Sequence, residues 1–285
     1  MRRMLVALVF VLAGCLPADA TWSVIALDQN SGTVVIASAT CVSQQGFGRM
    51  NATGLKDIQA IVVPGKGVAA AQAAVDRTRA NQRLIYSELQ KGTDPEQIVA
   101  MLKQDAAVET RQFGILVVQR RHAGWSGSQN QASSLHEQGS VKGTGIWYSI
   151  QGNILMSDDV VHAAVAAFVA TRGSLTDRVM AAMEAADSKG GDKRCTCESE
   201  PKVDAPCDGK TAHVAYILRA DKNDKSGESY NDGEYAMYIS VTNEDIKPSE
   251  NANPVKTLRM RYDEWKKTHT EGDRSAPASR NRTCL

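Results

Sequence analysis

The chain has 285 residues, 42% of them hydrophobic, which suits one or two domains and permits a large core. Its 33 Lys and Arg nearly balance its 32 Asp and Glu, for a formal net charge of +1. That balance argues against a strongly electrostatic nucleic-acid partner.

Residues 1–20 read as a targeting segment. Arg2 and Arg3 precede an apolar run, Met4 to Gly14, that is too short to span a bilayer. Pro17 breaks that run, and Ala18-Asp19-Ala20 is a small-x-small cleavage site that would leave Thr21 as the new N-terminus. A second reading competes. Leu12-Ala13-Gly14-Cys15 has the form of a bacterial lipoprotein box, in which Cys15 would be lipidated and anchor the chain to a membrane. Either way the mature protein is expected outside the cytoplasm, periplasmic or extracellular, and on a membrane only if Cys15 is lipidated.

Beyond residue 20, Trp22 to Leu27 and Thr33 to Ala39 are rich in β-formers and flank the turn residues Gln29-Asn30-Ser31-Gly32, which predicts a hairpin. Ile58 to Val63 predicts a short strand ended by Pro64-Gly65. The Ala-, Gln- and Arg-rich stretch Val68 to Leu89 predicts a long helix. Thr93-Asp94-Pro95-Glu96 opens another, running to about Gln104. Strands are expected at Phe113 to Val118, with "HAGWSG" ending it, and at Trp147 to Gln151. Helices are expected at Asp158 to Ala170 and Leu175 to Ala186. Strands return at Val214 to Arg219 and Tyr235 to Val241, and Pro254 starts a final helix through Trp265. The polar end, residues 268–285, reads as a flexible tail. Two groups of strands with helix pairs between them point to an α+β layer fold.

Cys195, Cys197, Cys207 and Cys284 are expected to form disulfides in an oxidising compartment, with Cys41 as the thiol left over. A metal held by Cys195, Cys197, Cys207 and His213 is the alternative, although the spacing matches no familiar zinc pattern. The five histidines show no ligand spacing, and the chain carries no nucleophile elbow, phosphate loop or dinucleotide fingerprint, so no cofactor is implied.

Seven segments carry a family resemblance in their order along the chain: "TWSVIALDQNSGTVVIASAT", "GVAAAQAAV", "ETRQFGILVV", "YSIQGNILMSDDVV", "AMEAADSKGGDKR", "YND" and "NPVKTLR". Together they resemble the DUF1028 family, which is grouped with the N-terminal nucleophile (Ntn) hydrolases. The resemblance covers Thr21 to Trp265 and implies one domain over residues 21–267, with two antiparallel sheets sandwiched between helix layers. It also implies hydrolysis of linear amide bonds, in small molecules or peptides, with Thr21 as the nucleophile. Family members usually start with a threonine exposed by loss of the initiator methionine; here cleavage after Ala20 would expose the matching residue. Thr21 would then supply both the attacking hydroxyl and, through its α-amine, the base. Asn153 is the candidate oxyanion donor, or else a cap of the following helix. Ser38, Arg111 with Gln112, Ser126 and Asp192 with Arg194 are candidate substrate-binding groups. Asp28 is a candidate orienting group or an ordinary turn residue. Ser126 stands where the family usually has threonine, and the cysteine-bearing stretch after Gly190-Gly191 replaces the usual continuation. The exposed edges of such a sandwich leave room for a homo-oligomer.

Overall fold

The computed structural model describes residues 21–118 and 122–269. Residues 1–20, read above as a targeting segment, with Cys15, the tail from residue 270 and Cys284 lie outside the described residues.

The chain opens with the expected hairpin, β1 (Thr21–Asp28) and β2 (Val34–Thr40). Two five-residue helices, α1 (Gln44–Gly48) and α2 (Leu55–Gln59), lead into β3 (Ala60–Val63) and β4 (Gly67–Ala73). Helices α3 (Ala80–Lys91) and α4 (Pro95–Leu102) precede β5 (Arg111–Val117), β6 (His122–Ser126), β7 (Leu135–Val141) and β8 (Ile146–Asn153). Helices α5 (Asp159–Ala170) and α6 (Leu175–Ser188) follow, then β9 (Val214–Ala220), β10 (Met237–Thr242) and α7 (Pro254–Thr268).

The strands form two antiparallel sheets, one of order β10-β9-β2-β1-β8-β7 and one of order β3-β4-β5-β6. Period-two alternation explains why both can be buried. In β1, Trp22, Val24 and Ala26 pack with Val179, Met183, Val255 and other residues of α5, α6 and α7. The alternate residues Ile25 and Leu27 face the second sheet and meet Val68 and Leu116. On the far side of that sheet, Ala69, Phe113 and Ile115 pack on Ile85, Leu89 and Ile98 of α3 and α4. The molecule is therefore an α+β sandwich of helices, sheet, sheet and helices.

Three expectations need correction. Val68 to Leu89 is not one helix: Gly67 to Ala73 is a central strand. The alanine-rich sequence is what a strand squeezed between a sheet and a helix layer requires, and tertiary packing overrides alanine's helix propensity. At Gly67 a Cβ would lie 2.4 Å from the Leu116 carbonyl oxygen, so the close approach of neighbouring backbone needs glycine there. Second, "HAGWSG" does not end a strand but holds one, β6, and β7 was not anticipated. Both sit at sheet edges and are only partly buried, which weakens their alternation. Third, Cys41 is not left over: it is joined to Cys195, and Cys197 to Cys207. No helix among the described residues is long and apolar enough to cross a membrane.

Candidate active site

One end of the space between the sheets is polar. Thr21 begins β1, in the interior of the six-stranded sheet, opposite Thr40 of β2 on one side and Asn153 of β8 on the other. By alternation it shares the inner face with Ile25 and Leu27, so its side chain turns toward the second sheet. It is 4% exposed. Its hydroxyl lies 3.4 Å from the Thr40 Oγ1, which accepts from the Val42 amide.

Gln72, the one polar side chain of β4, organises this end. Its Oε1 accepts from Ser23 Oγ and Gln59 Nε2, both at 2.7 Å. Its Nε2 donates to the Thr21 carbonyl at 3.0 Å and to Gln112 Oε1 at 2.7 Å. All four hydrogen-bonding sites of the amide are used, which fixes its orientation. Gln112 carries the chain onward to Ser126 and to the Gly152 carbonyl. Tyr216 donates to Gln59 at the other end. Burial pushes the Tyr216 phenol well above its ordinary value, so it stays a neutral donor. Every side chain in this buried cluster (Thr21, Ser23, Thr40, Gln59, Gln72, Gln112 and Asn153) is neutral.

Asn153 is 1% exposed, and its Nδ2 is buried without a hydrogen-bond partner. It does not cap a helix, since α5 begins at Asp159. Directly opposed residues in an antiparallel pair have Cβ atoms about 4.5–5.5 Å apart, which sets Asn153 beside Thr21. A cleft of about 500 Å³, lined in part by Asn153, Val42, Met50, Ala73, Val75, Asn130 and Gln131, runs alongside. A small apolar recess lined by Thr21, Phe47, Leu55 and Ile58 shares Val42, Met50, Ala73 and Val75 with that cleft.

The other candidates are placed differently. Ser38 is fully buried on the same inner face, and its hydroxyl donates to the Trp22 carbonyl at 2.6 Å, a bond that ties β2 to β1. Arg111 pairs with Asp105 at 3.1 Å and donates to the Ala74 carbonyl, so it braces a wall of the cleft. Ser126 belongs to the amide network, bonded to Gln112, Ser134 and Asn130. Asp192 is fully buried, paired with Arg194 at 2.8 Å, and accepts from the Cys41 amide at 3.0 Å. It anchors the chain just after Thr40. Asp28 is a turn residue: it accepts from the Asn30 amide and the Ser31 hydroxyl, at the opposite end of β1 and about 23 Å from Thr21. Thr40, Gln59 and Gln72 were not picked from the sequence. A lone glutamine within "GVAAAQA" was the available signal.

Near Asp192, Cys41, Cys195 and His213 place ligand-capable atoms within 4.8 Å of one another. Both sulfurs are joined in the disulfide, as are those of Cys197 and Cys207, which takes up the thiols of the alternative metal reading.

The DUF1028 family model, described as a family of unknown function, matches residues 21–225, beginning at Thr21 itself. A crystal structure of a Silicibacter pomeroyi protein with the same family description is similar to this chain, with a TM-score of 0.61 and 21% sequence identity. The match covers 87% of this chain and 89% of the other. At that identity the likeness carries the fold. No curated protein matches. With the family model spanning most of the chain and the sandwich in place, the protein belongs to the DUF1028 family.

Proposed function

We propose that this protein is an exported amidohydrolase that uses Thr21 as an N-terminal nucleophile after removal of residues 1–20. The observation that carries this reading is the neutrality of the cluster around Thr21. A threonine hydroxyl needs a base, and no neighbouring side chain in the cluster titrates near neutral pH. An α-amine on Thr21 itself, with an ordinary pKa of about 7.7–8.0, supplies the base once the preceding peptide bond is cut.

The reaction balances with these groups. The amine takes the hydroxyl proton, Oγ1 attacks the amide carbonyl carbon, and negative charge develops on the carbonyl oxygen. Asn153 Nδ2, buried and without a partner, is the donor available to that oxygen. The proton passes to the departing amine and an ester to Thr21 remains. Water, deprotonated by the same α-amine, releases the acid and restores the hydroxyl. Gln72, bonded to the Thr21 carbonyl, holds the nucleophile's backbone without contributing charge. The two disulfides fit export to an oxidising compartment.

Intact mass and N-terminal sequencing of the protein made by its own host test the processing step. A chain starting at Thr21 is expected. A lipidated Cys15 as residue one, with no further cut, leaves Thr21 without a free amine and overturns the mechanism.

A further inference from the structure

The cleft beside Thr21 has a charge pattern of its own. Arg49, just past α1, and Arg77, in the loop between β4 and α3, both line it, together with Ser43, Thr110 and the amides of Gln129, Asn130 and Gln131. Among the described residues, no carboxylate lines it. The acidic residues around it already have partners. Asp105 binds Arg111 and Asn81, Asp76 binds the Asn81 and Thr78 amides, and Glu109 binds Ser128. The nearby arginines are engaged too: Arg79 donates to the Met50 and Asp76 carbonyls, and Arg111 to Ala74. Arg49 and Arg77 differ. Both are exposed, and neither guanidinium makes a hydrogen bond or ion pair among the described residues. Two free cations therefore face a cleft whose other polar groups are neutral, and whose wall includes the unpartnered Asn153.

We propose that the substrate is an amide carrying a carboxylate, held by Arg49 and Arg77 while its scissile carbonyl lies between Thr21 and Asn153. This rests on the reading of Thr21 as the nucleophile, and it narrows the substrate from amides in general to anionic ones. The planar guanidinium suits a carboxylate because it can offer two parallel donors. At a partly solvated cleft mouth this attraction is screened by salt, so it acts on binding more than on turnover. Arg49 and Arg77 are thus substrate-positioning residues, and Thr21 does the chemistry.

Two measurements separate this from the nucleophile reading. The first is calorimetric binding of N-acetylalanine, an amide with one carboxylate, against the neutral N-acetylalaninamide to the Thr21-start protein carrying Thr21→Ala, which cannot turn either over. The acid is expected to bind roughly tenfold or more tightly. That preference should fall with added salt and disappear in the Arg49→Gln, Arg77→Gln double variant. Lysine at both positions should restore part of it, which a merely structural role would not. Equal binding of the acid and the amide, or binding of neither, overturns the proposal. The second is labelling of the unsubstituted Thr21-start protein by a β-lactone bearing a carboxylate and by its methyl ester. In each, Thr21 Oγ1 forms an ester and the ring-opened alkoxide takes up the proton. Faster labelling by the acid supports the proposal, and equal rates overturn it. If neither lactone labels Thr21 while the acid preference in binding persists, the anion site stands and the nucleophile reading falls.

Discussion

At the scale of the residue, the account turns on Thr21 and Asn153. Thr21→Ser keeps both the hydroxyl and the amine and is expected to retain partial activity, whereas Thr21→Ala removes it. Asn153→Ala should lower kcat by about 10²–10³-fold, the usual cost of one oxyanion donor, with a smaller change in KM. Steady-state kinetics on a responsive amide measure both. If Asn153→Ala alters only KM, Asn153 binds substrate and the oxyanion donor lies elsewhere. Thr21 stood out in the sequence because a stretch with the form of a cleavage site, Ala18-Asp19-Ala20, runs directly into β1. Asn153 was legible as a residue but not as a role, since asparagine before a helix is ordinarily a cap; only the start of α5 at Asp159 separates the two. Ser38, Arg111 and Asp192 show the converse. Polar residues within strands, at their ends or just past a helix resemble substrate contacts in a sequence, yet each of these has hydrogen bonds committed to the fold.

At the scale of the element, β4 is where sequence and structure part most widely. "GVAAAQA" followed by a good helix former reads as one long helix, because alanine favours helices and the apolar run is unbroken. The structure makes it a central strand whose small residues let two sheets and a helix layer approach, and whose single glutamine holds Thr21 from the facing sheet. Contacts across 40 to 51 residues decide that outcome, and no local pattern carries them. Gln72→Leu is therefore expected to do more than remove a side chain. It leaves Gln59 Nε2, Ser23 Oγ and Gln112 Oε1 without their partner in a buried place. One unsatisfied buried group costs about 1–3 kcal/mol, so urea unfolding should show a loss in or above that range. An unchanged midpoint would mean that water or rearrangement satisfies the network. The hairpin, α4, α6 and α7 were legible because each carries its own punctuation. Asp94 and Pro95 start α4, Ser174 and Asp177 form a capping box at α6, and Asn253 with Pro254 opens α7.

At the scale of the whole molecule, one disulfide ties the cysteine-bearing segment to the chain just past β2 and a second closes a loop within that segment. The Cys41–Cys195 bond closes a loop of 154 residues and Cys197–Cys207 one of 10. In the chain-entropy account, removing the first by paired serine substitutions costs about 5 kcal/mol and removing the second about 2.7. Denaturant unfolding of the two double variants should rank them in that order. Equal losses would mean that strain or residual structure, rather than loop closure, sets their worth. His213 lies beside the first bond. Burial, with Lys210 nearby, pushes its pKa down to about 4, so it is neutral in the folded protein at neutral pH. The unfolded chain takes up that proton at about 6.5. His213 thus contributes stability above that value and loses it as pH falls from about 6.5 to about 4, because there only the unfolded state binds the proton. His213→Gln should flatten the stability profile over this window, and an unchanged slope would show that other groups set it. The pairing of Cys41 was not legible, because Asp192 and the turn at Gly190-Gly191 bring Cys195 to it from the far end of α6. The central claim concerns the whole mature chain, one that begins at Thr21 and does chemistry there. Its most direct test is mass-spectrometric mapping of a β-lactone adduct on three forms: the Thr21-start protein, the same protein with one added N-terminal glycine, and Thr21→Ala. The account predicts one adduct on Thr21 in the first form and none in the other two, all three being folded. Labelling of Thr21 at the same rate in the glycine-extended form, where its amine is an amide, would contradict it.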